Sequence, residues 1–483
     1  MIVMKFGGTS VENDVAINRV AGIVGARLEE RPVVVVSAMA GVTDSLVAMS
    51  GAAASGSLPE ALKLLRKIRQ RHWSVLSSLV SGPREAVVRQ EVQALLDSTQ
   101  DLLRGISALG ELTPRSTDNI LAVGELLSSR IVTAALAARG IDAVLIDSRS
   151  CIVTDANHTR AIPLFDESSE RLRHHVKPVL QAGQLPVMGG FIGATAEGVP
   201  TTLGRGGSDF SAAIIGAALS ARRIEIWTDV EGMMTTDPRL CPQAQRIDVI
   251  GFDEASELAF FGAKVLHPAT LIPAVEKNIS VHVLNSRRPE SRGTCIRARA
   301  PRSRTVFRAI AAKSGMRVVN IKSPRMLMAH GFLRAVFEAF DRHACAADLV
   351  STSEVSVSVA LDSSRDANAL VHDLKKLGEV DVENGKAVIC LVGKHIRGRA
   401  GIAASVFSTV AAANVNVHMI SQGASEINIS FVVEEQDVPR AVQRLHQRFF
   451  EAAETGRQKA PRLASRVLAF SAPANTPREV AQP

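Results

Sequence analysis

The chain opens with Met1-Ile2-Val3-Met4-Lys5-Phe6-Gly7-Gly8-Thr9-Ser10, a short apolar run that leads into a lysine, two glycines and two hydroxyls. Because Gly7 and Gly8 have no Cβ, their backbone N–H groups can approach an anion without steric cost. Lys5 adds a mobile positive charge beside them, and the hydroxyls can cap a helix whose N-terminal dipole also favours an anion. The stretch predicts a strand that ends in a phosphate-binding loop, although an ordinary glycine turn fits these ten residues equally well.

Segments of the same kind recur through the first 300 residues. Short apolar runs at Val33–Val36, Ala143–Ile146 and Pro186–Met188 alternate with amphipathic stretches at Leu58–Leu79 and Arg84–Leu109. Such alternation is typical of a parallel sheet with helices on both faces, whose ligands gather at the carboxyl ends of the strands. We therefore predict an α/β fold over residues 1–290, a mostly parallel open sheet sandwiched by helices.

The C-terminal part of the chain contains a repeat. Four residues of the first copy return 70 positions later: Gly331, Val336, Phe337 and Ser351 correspond to Gly401, Val406, Phe407 and Ser421. Each copy reads as a βαββαβ, ferredoxin-like module for a small ligand. The predicted plan is an Arg-rich linker at 291–311, modules at 312–385 and 386–453, and a disordered tail at 454–483. Modules that serve dimerisation alone remain an alternative.

Composition and charge exclude several classes of protein. The net charge of +8 comes from the segment 285–308, with a balance of +7, and the tail 456–483, with +4, so the rest sums to −3. A nucleic-acid site is therefore not expected, because the excess does not lie on a folded face. Neither a signal peptide nor a membrane span is expected, since the best apolar run, Ile131–Ile146, is broken by Arg139. The five cysteines have no metal-binding spacing, so we predict a reduced, cytoplasmic protein without a metal site of its own.

Three further segments carry candidate binding chemistry. Thr201–Asp209 is a glycine-rich loop before a helix, and it contains Arg205 and Asp209. Ile226–Arg239 is a strand that ends in a polar turn suited to a ribose and phosphates. Phe261–Pro268 places Lys264 in an apolar neighbourhood, where its charge needs an anionic partner. Each of these segments alone also fits an ordinary turn, and His267 fits a structural hydrogen-bonding role better than a catalytic one.

Glu125 is a lone carboxylate in the apolar run Ile120–Leu127. It needs a partner, which is either a buried salt bridge or the ammonium group of a substrate. Lysines, an arginine, two acids and glycine loops at one sheet edge suit phosphoryl transfer, which is mostly positioning and charge neutralisation. No general base is evident. A carboxylate acceptor needs none because it is already an anion at neutral pH, so it fits better than a hydroxyl acceptor.

These motifs together resemble the aspartate kinase family over nearly the whole chain, from Met1 to about Phe450. The matching segments are Lys5–Ser10, Thr202–Asp209, Trp227–Val230 and Phe261–Pro268. The two C-terminal modules resemble the ACT pair of the monofunctional, lysine-sensitive class. The resemblance implies an amino-acid kinase fold and ATP-dependent phosphorylation of the β-carboxylate of L-aspartate. The product, 4-phospho-L-aspartate, leads to lysine, threonine, methionine and diaminopimelate.

The resemblance also implies roles for individual residues. Phosphoryl transfer would be catalysed by Lys5, Asp209 and Lys264. The aspartate pocket would comprise Thr43, Glu125, Arg205 and Ser208. ATP would be held by Lys5, Gly7, Gly8, Thr228, Asp229, Met234, Arg239, Lys264 and Val265. A lysine effector would meet Met326, Ala329, Gly331, Phe332, Leu333, Asp348, Thr352, Ser353 and Glu354. Mg²⁺ would ride on the nucleotide phosphates, and the chain would form a homodimer or homotetramer through its ACT modules.

The chain departs from the family pattern at two positions. Relatives usually carry tyrosine where this chain has Met234, and the chain contains no tyrosine at all. Methionine can pack against adenine but cannot donate a hydrogen bond. Lysine-sensitive relatives typically carry serine where this chain has Ala329, and the lost hydroxyl costs on the order of 1 kcal/mol, roughly fivefold in effector affinity.

Three other functions compete with this interpretation. A kinase of glutamate or N-acetylglutamate is the nearest, but an N-acetylated substrate has no ammonium for Glu125. A catalytically dead amino-acid sensor would not need Lys5, Arg205, Asp209 and Lys264 together. A nucleic-acid-binding regulator would show affinity with a steep salt dependence at the Arg-rich linker.

Overall fold

The computed structural model describes residues 1–261, 271–301, 305–327, 330–363, 367–394, 396, 398–422 and 427–451. Lys264, Val265, His267, Ala329 and the tail 454–483 lie outside these residues.

The described residues form sixteen β-strands and thirteen α-helices. The strands are β1 Ile2–Phe6, β2 Pro32–Val36, β3 Ala143–Ile146, β4 Leu185–Gly189, β5 Ile192–Ala194, β6 Pro200–Thr202, β7 Arg223–Thr228, β8 Val249–Gly251, β9 Ser280–Asn285, β10 Thr294–Arg297, β11 Ala309–Lys322, β12 Leu349–Thr352, β13 Ser356–Asp362, β14 Glu379–Val392, β15 Met419–Ser421 and β16 Asn428–Glu434. The helices are α1 Asp14–Gly25, α2 Val42–Ala54, α3 Leu58–Leu79, α4 Pro83–Leu109, α5 Pro114–Ala137, α6 Phe165–Gln181, α7 Gly207–Ala218, α8 Phe252–Phe260, α9 Ile272–Glu276, α10 Phe332–Arg342, α11 Asn368–Leu374, α12 Ile402–Ala412 and α13 Val438–His446.

An eight-stranded sheet in the order β3-β4-β2-β1-β7-β9-β10-β8 organises the N-terminal part. All its neighbouring strands run parallel except the antiparallel pair β9 and β10. Strand β1 lies near the middle and is buried along its whole length: Val3 packs into one core, whereas Met4 and Phe6 pack into the other. Both faces of the sheet are therefore covered, which explains the continuous apolar runs of its strands. The predicted α/β sandwich is confirmed.

Helix α5 crosses one of these cores and carries Glu125. It is the one helix of the described part that is long and apolar enough to span a membrane by length and composition, and 78% of its most apolar window is buried inside the protein. Packing against the sheet explains the apolar character of this helix.

The C-terminal strands form one sheet, in the order β12-β13-β11-β14-β16-β15. Its two central strands, β11 and β14, pair antiparallel from Ala309 opposite Val392 to Lys322 opposite Glu379. Strand β13 pairs with residues 316–322 of β11, and β16 pairs with residues 386–392 of β14. The first unit is therefore a complete βαββαβ module. The second unit takes its remaining strand from the start of β11, which precedes the first unit in the chain, so the first unit is inserted into the second.

The predicted Arg-rich linker differs from the observed structure. Residues 294–297 form β10, which pairs with β9 and β8 in the large sheet, and Ala309 already begins β11. Thr294 is fully buried, and its hydroxyl accepts a hydrogen bond from the Met233 N–H at 2.8 Å. This strand was not predicted because it is only four residues long and lies among arginines, whose charge pattern indicated a linker.

Candidate active site

A cleft of about 540 Å³ opens at the carboxyl edge of the large sheet, beside the end of β1. Strands β1 and β7 are neighbours with Phe6 opposite Trp227, and the Gly7 N–H donates to the Trp227 carbonyl at 3.0 Å. Seven of the predicted site residues line this cleft: Lys5, Gly8, Thr43, Glu125, Arg205, Ser208 and Asp209. They come from β1 and the loop after it, from α2 and α5, and from the segment that leads from β6 into α7, so the fold gathers them from distant parts of the chain.

Lys5 and Asp209 form an ion pair inside the cleft. Lys5 Nζ lies 2.5 Å from Asp209 Oδ1, and the two side chains are only 10% and 14% exposed. Asp209 stands in the first turn of α7, where the helix dipole favours a carboxylate. Gly206 makes this turn possible because it precedes the helix with φ = +74°, a conformation that glycine adopts without strain. The pair is thus held by two rigid elements.

The glycine loop after β1 approaches the loop after β2 closely. A Cβ on Gly8 would lie 2.9 Å from the Ala38 carbonyl oxygen, and the Ala40 N–H donates to the Gly8 carbonyl at 3.1 Å. A Cβ on Gly7 would meet only ordinary contacts, the nearest at 3.5 Å. The second glycine, not the first, is therefore required by close backbone packing at the edge of the cleft.

Glu125 provides a buried carboxyl group at the base of the cleft. Its side chain accepts a hydrogen bond from the Ala38 N–H at 3.0 Å through Oε1, whereas Oε2 has no hydrogen-bond partner among the described residues. Glu125 is only 3% exposed, and burial raises the pKa of its carboxyl group to about 8. The buried salt bridge that the sequence left open does not form within the described residues. The arrangement suits a cationic ligand group.

Asp118, about two turns before Glu125 on α5, was not predicted from the sequence. It is fully buried and accepts hydrogen bonds from the Thr159 N–H at 3.0 Å and the Thr202 hydroxyl at 2.5 Å. His158 Nδ1 lies 2.7 Å from its other oxygen. Because Thr159 and Thr202 line the cleft, Asp118 holds this part of its wall in place. The sequence did contain a signal for it, because a second acid seven residues from Glu125 lies on the same face of an apolar helix.

Four of the predicted nucleotide residues, Thr228, Asp229, Met234 and Arg239, lie outside the lining of this cleft, whereas Lys5 and Gly8 belong to it. Thr228 ends β7 and Asp229 follows it, and the Thr228 carbonyl accepts a hydrogen bond from the Ser286 N–H at 2.8 Å. Arg239 is exposed and forms an ion pair with Asp237 at 2.6 Å. Met234 makes an isolated antiparallel bridge with Arg246. These residues occupy the loop after β7, the neighbour of β1, and Lys264 and Val265 are not among the described residues.

Three predicted effector residues lie at the start of α10 in the first unit, and three more lie at the turn between β12 and β13. Gly331 precedes α10 with φ = +87°, and Phe332 and Leu333 form its first turn. Met326 packs against the core of this unit. Asp348 is paired with Lys313 at 2.8 Å, and Ser353 bonds Ser356 between β12 and β13. Thr352 and Glu354 are exposed at the same turn.

Comparisons with known proteins agree with this architecture. The model of the amino acid kinase family matches residues 1–285, and an ACT domain model matches residues 389–449. Lysine-sensitive aspartokinase 3 of Escherichia coli (strain K12) is 39% identical over 461 residues, which cover 93% of this chain and 99% of that protein.

Solved structures give the same result. Escherichia coli aspartokinase III in complex with aspartate and ADP, in its R-state, superposes with a TM-score of 0.81 at 38% identity, covering 92% of this chain and 99% of that one. Its T-state complex with lysine and aspartate gives a TM-score of 0.79 at 37% identity, covering 93% and 99%.

Proposed function

The chain belongs to the aspartokinases of the amino acid kinase family, and from this premise we propose how its cleft performs their reaction. The enzyme transfers the γ-phosphoryl group of ATP to the β-carboxylate of L-aspartate, which gives 4-phospho-L-aspartate for the synthesis of lysine, threonine, methionine and diaminopimelate. The observation that carries the proposed mechanism is the meeting of the Lys5–Asp209 ion pair and the buried Glu125 in one cleft.

Lys5 neutralises the negative charge that spreads over the transferring phosphoryl group. Asp209 orients Lys5 through their ion pair, and Lys264 supplies a second positive charge. The backbone around Gly8 contacts the phosphates, since no side chain separates it from them. Preorganised charge of this kind is the main source of rate enhancement in phosphoryl transfer.

Aspartate binds with its β-carboxylate towards Lys5. Arg205 pairs with a substrate carboxylate, and Glu125 receives the substrate ammonium at its unpartnered Oε2. Thr43 and Ser208 complete the pocket. No proton has to leave the attacking carboxylate, so the mechanism needs no general base.

The adenine, ribose and distal phosphates of ATP lie on the loop after β7, against Thr228, Asp229, Met234 and Arg239. Mg²⁺ accompanies the nucleotide. Among the described residues, the carboxylates that line the cleft are Asp44, Glu125 and Asp209, and the last two are held by Ala38 and Lys5. This donor set fits an ion carried mainly by phosphate oxygens, whose charge offsets that of the phosphates.

L-Lysine is the proposed inhibitor, bound at the start of α10 in the first ACT unit. Lysine inhibits by preferring a state in which the catalytic loops are misaligned. We further propose a cytoplasmic homodimer or homotetramer that associates through its ACT units.

A hydroxamate assay tests the proposed mechanism. Purified protein with ATP, Mg²⁺ and L-aspartate should form an acyl phosphate that hydroxylamine traps, and Lys5→Ala should abolish the product without loss of fold. N-Acetyl-L-aspartate should not be phosphorylated, because it lacks the ammonium group. Equal rates for the wild type and Lys5→Ala would exclude the role given to Lys5.

A further inference from the structure

Cys241, His446 and Glu451 form a cluster outside the lining of the cleft, here called the Cys–His–Glu cluster. One ligand atom of each residue (Sγ, a ring nitrogen and a carboxylate oxygen) lies within 4.8 Å of the others. Cys241 is 1% exposed and His446 is fully buried. The proposed kinase mechanism uses none of these groups.

A π-helical turn brings two members of the cluster together. Residues Gln447–Glu451 continue α13 as a π-helix, in which hydrogen bonds join residues five apart. Residues five apart therefore lie one above the other, and His446 Nδ1 meets Glu451 Oε1 at 2.8 Å. In a regular α-helix, the fifth residue would point away. Such π-turns are rare in proteins, and those that occur are often found at functional sites.

Thr235 fixes the imidazole ring from its other side. His446 Nε2 lies 2.9 Å from Thr235 Oγ1, which also accepts a hydrogen bond from the Gln245 N–H at 2.9 Å. Histidine ligands usually donate their second ring N–H to such an outer acceptor, which fixes the tautomer and the orientation of the ring. Nδ1 is thereby directed towards Glu451 and Cys241.

The cluster lies where the loop after β7, here called the nucleotide loop, packs against the second ACT unit. The Ile310 N–H donates to the Thr235 carbonyl at 2.7 Å, and Gln443 Nε2 donates to the Leu240 carbonyl at 2.9 Å. Cys241 packs in the core of the same unit with Phe307. Cys241 thus comes from the loop that carries Met234 and Arg239, whereas His446 and Glu451 come from the ACT unit.

We propose that the Cys–His–Glu cluster binds a zinc-class divalent transition-metal ion through Cys241 Sγ, His446 Nδ1 and Glu451 Oε1. Thiolate, imidazole and carboxylate are the ligands that Zn²⁺ prefers. Water or Gln243 Oε1, which lies 3.5 Å from Cys241 Sγ, takes the fourth position. Binding releases the thiol proton and the proton between His446 and Glu451 to solvent. The ion clamps the nucleotide loop to the ACT unit.

Titration of the full-length, metal-stripped protein with Co²⁺ in excess Mg²⁺ tests this proposal. We expect one Co²⁺ per chain, a thiolate-to-cobalt charge-transfer band, displacement by Zn²⁺, and a Tm raised by Zn²⁺. Cys241→Ser should lose the band and the shift in Tm, whereas Cys295→Ser, which removes a free cysteine in β10, should keep both.

Two further variants separate metal binding from other effects. Thr235→Val should weaken Co²⁺ binding tenfold to a hundredfold, as expected for loss of an outer-shell partner, and Thr235→Ser should restore it. Lys5→Ala should bind metal like the wild type, so the result does not depend on kinase activity. Absence of stoichiometric Co²⁺ binding in the wild type, or a band that survives Cys241→Ser, would overturn the proposal and leave a hydrogen-bonded cluster only.

Discussion

Glu125 leads to a prediction about the pH dependence of aspartate binding. Burial raises the pKa of this carboxyl group to about 8 in the free enzyme, so it is mostly protonated at neutral pH. Only the carboxylate can pair with the substrate ammonium. We therefore expect kcat/KM for aspartate to rise with pH and to level off above pH 8.

The size of the effect follows from the ionised fraction. With a pKa of about 8, roughly three quarters of Glu125 is ionised at pH 8.5 and about 3% at pH 6.5. Glu125→Gln keeps the shape of the side chain but cannot ionise. At pH 8.5 it should lower kcat/KM for aspartate by ten- to a hundredfold, as expected for a lost charge-assisted hydrogen bond of about 1.5–3 kcal/mol. The ratio of wild type to variant should then fall by up to about 25-fold between pH 8.5 and 6.5.

The assay is the initial rate of hydroxamate formation at low aspartate and saturating ATP, for both proteins, at half-unit steps of pH. Titration of the ATP phosphates affects both proteins equally and cancels in the ratio. A ratio that stays constant from pH 6.5 to 8.5 would refute the reasoning.

Unfolding supplies an independent check of the raised pKa. A carboxyl group whose pKa is higher in the folded state than in the unfolded chain stabilises the fold fully below its unfolded pKa, and this stability is lost as the pH rises to the folded pKa of about 8. Between these two pKa values, the free energy of unfolding of the wild type should fall by up to about 1.4 kcal/mol per pH unit relative to that of Glu125→Gln. Equal stability changes in the two proteins would show that the carboxyl group is already ionised.

Three further predictions concern the cleft and the effector site. Gly8→Ala should lower kcat/KM for ATP more than tenfold, because its Cβ would lie 2.9 Å from the Ala38 carbonyl oxygen. Gly7→Ala should change kcat/KM only a few fold, and equal effects of the two variants would contradict the packing argument. Asp118→Asn should raise KM for aspartate and lower the free energy of unfolding in denaturant by about 1–3 kcal/mol, because it disturbs the buried hydrogen bonds that hold the cleft wall. Unchanged stability and KM would exclude this role. Ala329→Ser should lower the lysine concentration for half-inhibition about fivefold, and an unchanged value would show that this position does not face the effector.

The sequence predicted the elements whose signal is local. Strand β1 is a continuous apolar run beside a glycine loop, and α3 follows its amphipathic pattern from Leu58 to Leu79. Parallel-sheet topology then placed Lys5 and Asp209 at one edge, where they meet.

Features that depend on distant pairing were not predictable. The exchange of β11 between the ACT units rests on contacts between residues about 80 positions apart, for which a single sequence carries no local signal. Cys241 is about 200 positions from His446, so inspection of cysteine spacing could not reveal their proximity. Asp118 is an acid whose partners come from a loop at Thr159 and from strand β6 at Thr202.

The shared strand also has a consequence for synthesis on the ribosome. The start of β11 is made about 80 residues before its partner in β14, which at roughly 5–20 residues per second means an interval of about 4–16 s. Throughout that interval, Ala309–Lys313 lacks its strand partner in β14, and an unpaired strand edge invites pairing with another nascent chain. Chains translated side by side on one messenger are therefore most exposed to misassembly at this point, before the C-terminal half of β14 emerges.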